Sequence, residues 1–242
     1  MRALIYAGRV TKEILRDPLS AVFGIGFPVV VLLLLTAIQK NVPVPMFVLS
    51  ELTPGIAVFG LSFLSLFSAQ LVAKDRATSV LSRLFTTPMQ ASDFIIGYVL
   101  PLLPMALLQG IICYAVALIL GLELQIGILW ALLCLLPVAA IYIGIGLLCG
   151  SLLSEKAATS LCGALLTNLS AWLSGTWFSL ELVGEGFRAV ADLLPFSHAV
   201  DLGRAALASD PDGVLLHLPW VCIYALLLLA AAIFAFFKKM RA

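Results

Sequence analysis

Charged side chains are scarce in this sequence. Asp, Glu, Lys and Arg make up 11% of its 242 residues, whereas 62% of the residues are hydrophobic. A soluble domain carries about a quarter charged residues, because its surface must stay hydrated. The shortage therefore indicates that much of the surface faces lipid. The net charge of +1 provides no basic patch for nucleic acid, so we expect no nucleic-acid partner.

Motifs of catalysis and metal binding are also absent. The sequence contains no G-x-x-x-x-G-K-[ST], no G-x-S-x-G and no H-E-x-x-H, so it has no phosphate-binding loop, nucleophile elbow or zinc-protease motif. The histidines, His198 and His217, have no Cys or acidic partner at ligand spacing. The five cysteines fall inside hydrophobic runs without metal spacing. We therefore predict that the chain is not itself an enzyme and binds no cofactor or metal of its own.

The sequence has instead six long hydrophobic runs without Asp, Glu, Lys or Arg, at residues 18–39, 52–73, 94–122, 124–154, 157–180 and 213–237. Each exceeds the about 20 residues that a helix needs to cross a bilayer. Helices are required because backbone polar groups in lipid must be paired within their own segment. We predict an all-α integral membrane protein with six transmembrane helices, in which residues 1–242 form one domain. The alternative, a soluble protein with six buried helices, needs amphipathic covering helices that the chain lacks.

The distribution of Lys and Arg predicts the orientation. An even number of spans places both termini on one side of the membrane. That side then holds eleven basic residues and the other side three, namely Lys40, Arg188 and Arg204. Because basic residues accumulate in cytoplasmic segments, we predict a multi-pass protein of the cell (cytoplasmic) membrane with both termini in the cytoplasm.

Residues 1–17 are too polar to span the membrane but have helical periodicity. Arg2, Arg9 and Arg16 recur every seven residues, and apolar side chains occupy another side. This pattern favours an amphipathic interfacial helix with its basic edge toward anionic lipid headgroups. The alternative is an ordinary basic flank that only enforces topology.

A second charged segment, residues 74–92, separates the second and third runs. Val80, Leu81, Leu84 and Phe85 share one face of a short predicted helix, and Pro88 ends it. A short amphipathic helix held between two spans either lies on the membrane or docks into a soluble partner. We predict a rigid cytoplasmic projection here.

Polar and aromatic residues mark two of the predicted spans. Phe59, Phe63 and Phe67 form a stripe at helical spacing, which is typical of helix packing and also compatible with ligand contact. Asn168 and Trp172 share a face of the fifth run. An Asn in lipid needs a partner helix or a wet cavity, so interhelical bonding and a substrate pathway both stay open.

Residues 181–212 form a long outer segment before the last run. Its periodicity predicts one amphipathic helix that includes Phe187 and is closed by Pro195, and a second short helix through Asp201 and Arg204. We expect a helical hairpin that enters the outer leaflet and returns, as a re-entrant cap over the spans. A hairpin that lies on the outer surface of the membrane is the alternative.

Several of these segments together resemble the ABC-2 family of ABC transporter permeases over essentially the whole chain. The resemblance rests on Pro54-Gly55, on the segment from Lys74-Asp75-Arg76 to Pro88, on Gly97-Tyr98 and on the stretch from Leu194-Pro195 to Arg204. The chain departs from drug- and antibiotic-exporting relatives at Lys74-Asp75-Arg76-Ala77, where they tend toward Arg-Glu-Arg-Gly. This departure affects the contact chemistry expected with a partner.

The resemblance implies partners and roles for particular residues. A separate ABC ATPase subunit would bind ATP and Mg²⁺, and a second permease copy or paralogue would complete a dimer in the lipid membrane. The residues expected to couple to the ATPase are Arg76, Thr78, Leu81, Arg83, Leu84, Phe85, Thr87 and Pro88. Those expected to line a substrate pathway are Phe59, Phe63, Asn168 and Trp172. Those expected to form an outer gate are Phe187, Pro195, Asp201 and Arg204.

The function that this resemblance implies is export of a hydrophobic or amphipathic substrate by alternating access, powered by the ATPase subunit. An ATP-independent secondary carrier is one alternative, although the spans lack mid-membrane charges. A non-transporting membrane scaffold or immunity protein is another.

Overall fold

The computed structural model describes residues 2–42, 47–78, 89–178 and 180–241. Most of these residues are helical, and no strand occurs among them. In chain order the elements are α1 (Arg2–Leu15), α2 (Pro18–Gln39), α3 (Leu49–Ala77), α4 (Ala91–Leu120), α5 (Gly127–Leu152), α6 (Glu155–Ser160), a π-helical turn (Leu161–Leu166), α7 (Thr167–Leu173), a 3₁₀ turn (Leu180–Leu182), α8 (Glu185–Leu193), α9 (Pro195–Leu207) and α10 (Pro211–Arg241).

Five helices in the described ranges are long and apolar enough to cross a membrane: Val22–Gln39, Leu49–Ala77, Ala91–Leu120, Gly127–Leu152 and Pro211–Lys238. They correspond to five of the six predicted runs. The remaining run, 157–180, is helical only to Leu173 and is divided by the π-helical turn. Its helix ends there because Gly175 adopts a left-handed φ of 68° that turns the chain. The count of six spans therefore stays a prediction.

Helix α3 is the centre of the bundle. It contacts α2, α4, α5, α6 and α9, and most of its side chains are buried. Its closest neighbour is α5, where a Cβ atom added to Gly150 would lie 2.6 Å from the carbonyl oxygen of Ala69. Glycine at this position lets the two backbones approach closely. By contrast, α2 and α10 carry many exposed apolar side chains, as expected of surfaces that face lipid.

The bundle has two distinct ends. The basic end, as we call it, carries α1, which packs mainly on α4 through the buried side chains of Tyr6, Ala7, Val10 and Ile14. The hairpin end carries α8 and α9, and α9 packs on α3, α5 and α10. Helix α3 runs from Leu49 at the hairpin end to Ala77 at the basic end. The last turn of α3 includes Lys74, Asp75 and Arg76, so the helix extends beyond the predicted start of the 74–92 loop.

Candidate functional site

A buried carboxylate lies at the basic end. Asp75 is in the last turn of α3 and is only 2% exposed. Arg9 of α1 donates two hydrogen bonds to it, from Nη2 to Oδ1 at 2.6 Å and from Nη1 to Oδ2 at 2.9 Å. This bidentate arrangement is the strongest geometry available to an arginine–carboxylate pair. It fixes α1 to the end of α3.

Two tyrosine hydroxyls complete the environment of this carboxylate. Tyr98 of α4 donates to Oδ2 of Asp75 at 2.7 Å, and the hydroxyl of Tyr6 lies 3.0 Å from the same oxygen and 2.7 Å from the Tyr98 hydroxyl. Burial, and then the charge of Asp75, raise the pKa of Tyr6, so Tyr6 stays a neutral donor at physiological pH. The hydrogen bond to Asp75 raises the pKa of Arg9. We call Tyr6, Arg9, Asp75 and Tyr98 the Asp75 cluster.

Local sequence explains how the Asp75 cluster forms. Tyr6 and Arg9 are three residues apart on α1 and therefore point to the same side. The Tyr6 ring lies against Gly97, where an added Cβ would be 2.5 Å from Tyr6 Cδ1. Glycine at 97 thus makes room for the ring beside Tyr98. At the edge of the cluster, Glu13 contacts Arg9 at 3.3 Å and Lys74 at 3.5 Å.

Arg76, the next residue along α3, binds a different helix. Its Nη1 donates to the carbonyl oxygens of Gly150 at 2.7 Å and Leu153 at 2.8 Å. These carbonyls lie at the C-terminus of α5, where backbone acceptors lack intrahelical partners. Thr78 ends α3, with its backbone N–H and hydroxyl bonded to the carbonyl of Lys74. The last turn of α3 is therefore bonded to α1, α4 and α5.

The other residues predicted for ATPase coupling, Leu81, Arg83, Leu84, Phe85, Thr87 and Pro88, lie outside the described residues. Arg76 and Thr78 directly precede them in the chain. Of the predicted coupling set, the structure thus places only these two. Arg76 makes contacts within the chain that the sequence did not suggest.

The predicted pathway residues fall into two pairs with different surroundings. Phe59 and Phe63 belong to an aromatic group in which Phe27 lies 5.0 Å from Phe63, and Trp177 lies 5.3 Å from Phe59, between ring centroids. Phe59 is buried and Phe63 half-buried. These rings hold α2, α3 and the segment after α7 together.

Asn168 and Trp172 instead lie exposed on α7. The side-chain amide of Asn168 donates to the carbonyl of Ala164 at 2.7 Å, and Trp172 is 55% exposed. The same helix is anchored from its other side by the hydroxyl contact of Ser170 with Tyr142 of α5, at 2.5 Å. The π-helical turn before α7 inserts an extra residue per turn, and such turns often occur at functional positions.

An arginine connects three segments at the hairpin end. Arg204 of α9 lies 2.9 Å from Oε2 of Glu51 at the start of α3, through its Nε. It also donates from Nη2 to the carbonyl of Gly175 at 3.0 Å, and its Nη1 lies 3.3 Å from Asp201. We call Glu51, Gly175, Asp201 and Arg204 the Arg204 bridge.

The Arg204 bridge borders a cleft of about 410 Å³ whose charged lining comprises Glu51, Glu181, Arg188, Asp192, Asp201 and Arg204. Of the predicted gate residues, Asp201 and Arg204 meet here. Phe187 is half-buried on α8, and Pro195 is the buried first residue of α9; neither is among the residues lining the cleft. Glu51, the partner of Arg204, was not predicted, because 153 residues separate the two in sequence.

Comparison with known proteins finds similarity to a family model and to an individual relative. A family model described as ABC-2 type transporter matches residues 3–208. Nodulation protein J from Sinorhizobium fredii (strain NBRC 101917 / NGR234) is 24% identical over 216 residues, which cover 88% of this chain and 80% of that protein. The Asp75 cluster and the Arg204 bridge both lie inside the region that the family model covers.

Proposed function

The chain belongs to the ABC-2 type transporter family, and from that membership we propose that it is the membrane subunit of an exporter for hydrophobic or amphipathic substrates. As a member of this family it is a multi-pass membrane protein and a component of an ABC transporter, whose ATP hydrolysis takes place in a separate subunit. The substrate class and the outward direction are our proposal.

The observation that carries this proposal is the way α3 connects the two ends of the bundle. With 29 residues, α3 is about 43 Å long. One end is bonded into the Asp75 cluster and leads into residues 79–88. The other end presents Glu51 to Arg204. A displacement of the basic end therefore reaches the hairpin end through one buried helix.

We propose that the ATPase subunit docks at the basic end, on α1 and on residues 79–88. When ATP closes two ATPase subunits, the bonded unit of α1 and the end of α3 moves with them. The Arg204 bridge then breaks and the hairpin end opens. Export follows if the membrane conformation that opens outward binds the substrate more weakly.

A dimer is supported by the exposed face of α7. Asn168 and Trp172 are exposed there, and a polar amide facing hydrocarbon is unfavourable. A second copy or a paralogue would cover this face and leave a pathway between the two subunits. Phe63, half-buried beside Phe27, would contact a hydrophobic substrate from the α3 side. The exposed apolar flanks on α2 and α10 would contact membrane lipid.

The proposed topology has six spans and cytoplasmic termini. The fifth span would be Glu155–Leu173, which is continuous apart from the π-helical turn and about 28 Å long at 1.5 Å per residue. This length approaches the about 30 Å of a bilayer core. Helices α8 and α9 would form the re-entrant outer hairpin. An ATP-independent carrier or a membrane scaffold needs no ATPase partner, so partner binding distinguishes them from the exporter.

The test is co-purification with candidate ABC ATPase subunits from the same organism, after reconstitution into nanodiscs. Leu84→Asp and Arg83→Glu change the proposed docking segment, and Lys156→Glu changes an exposed charge outside it as the matched control. We expect the wild type and Lys156→Glu to retain the ATPase, and at least one docking variant to lose it while remaining monodisperse. Absence of any ATPase with the wild type, or full retention by both docking variants, would contradict the proposal.

A further inference from the structure

Two histidines meet between the outer hairpin and the last long helix. His198 of α9 and His217 of α10 place their Nδ1 atoms 2.9 Å apart. The His198 ring also stacks on Trp220 of α10, with an interplanar angle of 3° and 5.2 Å between centroids. Both histidines are half-buried. This pair is a polar contact between α9 and α10.

The hydrogen-bond partners determine where the protons lie. Nε2 of His198 is 2.9 Å from the backbone carbonyl of Asp192, and a carbonyl only accepts, so Nε2 carries a hydrogen. In a neutral His198 the Nδ1 atom is then bare. The hydrogen between the two Nδ1 atoms must therefore belong to His217.

A first added proton strengthens this contact. With both ring nitrogens protonated, His198 keeps its bond to Asp192 and donates from Nδ1 to His217, which turns to the tautomer with a bare Nδ1. A hydrogen bond from an imidazolium is stronger than one between neutral rings. The pair is thus stable with either no added proton or one.

A second added proton is incompatible with the geometry. Two imidazolium rings would oppose N–H to N–H at 2.9 Å and carry like charges. The carboxylates that face the pair are Asp192 of α8 and Asp201 of α9. Each also contacts an arginine, Asp192 with Arg188 at 3.7 Å and Asp201 with Arg204 at 3.3 Å, so the arginines offset part of the negative charge near the histidines.

We propose that the His198–His217 pair is a proton-binding site that holds α9 against α10 with up to one added proton and releases it with two. Arg204 is on the same helix, six residues after His198, so release of α9 also loosens the Arg204 bridge. Because the proposed function places the hairpin end outside the cell, the regulating ligand is the external proton. Acid outside would favour the open hairpin.

The first experiment uses the isolated chain in nanodiscs, with EDTA present, and follows the fluorescence of Trp220 from about pH 8 to about pH 4, around the ordinary histidine pKa of about 6.5. A charged imidazole stacked on an indole quenches its emission, and Trp220→Phe gives the background to subtract. We expect two titration steps in the wild type and one in His217→Gln. If the wild-type curve has a single step and superimposes on the curve of His217→Gln, the two histidines do not form one proton-binding site and the proposal is overturned.

The second experiment measures the distance between the hairpin and α10. Spin labels replace the exposed side chains of Val190 on α8 and Leu216 on α10, and their distance is measured by pulsed EPR at about pH 7.5 and about pH 4.5. We expect the distance to increase by several ångströms at low pH in the wild type and to stay constant in His217→Gln, where Gln accommodates either state of His198. Equal behaviour of both proteins would overturn the release.

Neither experiment requires the ATPase, so each tests the histidine pair even if the exporter proposal fails. In the complex, acid is added only on the hairpin side of the membrane. We expect ATP hydrolysis to change at least twofold in the wild type and to be unchanged in His217→Gln. An unchanged wild-type rate, together with a positive EPR result, would refute the link to transport while leaving the proton site intact.

Discussion

The two ends of α3 are bonded in opposite ways. At the basic end the carboxylate of Asp75 is almost fully buried and satisfied by four hydrogen bonds. At the hairpin end the side chains of Glu51 and Asp201 are 63% and 42% exposed. Breaking a buried pair leaves an uncompensated charge, whereas an exposed pair exchanges its partner for water at little cost. The comparison indicates a rigid joint at the basic end and a bond that breaks at lower cost at the hairpin end.

Removing the buried carboxylate should have the largest effect. We expect Asp75→Asn to lower the free energy of unfolding by about 3 kcal/mol, the lower end for a broken buried pair because Arg9 is partly exposed. The matched control is Glu13→Gln, at the edge of the same cluster, with an expected loss below about 1 kcal/mol. Denaturation in detergent measures both, and equal stability of the two variants would contradict a rigid joint.

Alanine substitutions at Gly97 and Gly8 should give the next largest difference in the free energy of unfolding. Gly97→Ala places a methyl group 2.5 Å from the Tyr6 ring, whereas the same change at Gly8 meets nothing within 4 Å. We expect Gly97→Ala to cost about 1–3 kcal/mol by displacing α1, and Gly8→Ala to gain about 0.5–1 kcal/mol through helix propensity. Limited proteolysis would measure the displacement of α1, and thermal unfolding would measure the change in stability of each variant. The contrast fails if Gly97→Ala is neutral.

The Arg204 bridge should affect opening more than stability. We expect Arg204→Gln to cost about 1 kcal/mol or less. Thr176, 6% exposed beside the bridge, offers a reporter: in a Thr176→Cys background, a membrane-impermeant thiol reagent should react several-fold faster when Arg204 is replaced. Arg188→Gln, which removes another ion pair of the same cleft, should leave the rate unchanged. Equal rates in both variants would place the gate elsewhere.

Much of the bundle could be predicted from sequence because charged residues separate the hydrophobic runs and so mark where the helices begin and end. Five long helices match hydrophobic runs, and α1 was expected from its basic periodicity. The end of α3 was not predicted, since Lys74, Asp75 and Arg76 interrupt the hydrophobic run. They nevertheless continue the helix, because each side chain finds an ionic or hydrogen-bond partner elsewhere in the chain. The π-helical turn was not predicted either, because the residues 161–166 are as apolar as those of an ordinary helix.

The contacts of the candidate sites were harder to predict than their locations. Asp201 and Arg204 are three residues apart on one helix, so their proximity could be predicted from the sequence. The Asp75 cluster joins residues 66 and 69 positions apart, and no local pattern connects such partners. The one sequence signal was an acidic residue within a basic run between two spans. The roles expected of the predicted coupling, pathway and gate residues all stay predictions.

Coupling between the two ends is tested most directly in the complex with the ATPase, reconstituted in nanodiscs. The reaction rate of Thr176→Cys with the impermeant thiol reagent is measured with and without ATP, and the protein without this cysteine gives the background. Coupling along α3 predicts a several-fold change on adding ATP, and loss of that change in Arg9→Gln, which releases α1 from Asp75. A rate that stays constant while ATP is hydrolysed, or an ATP response that Arg9→Gln retains in full, would contradict it.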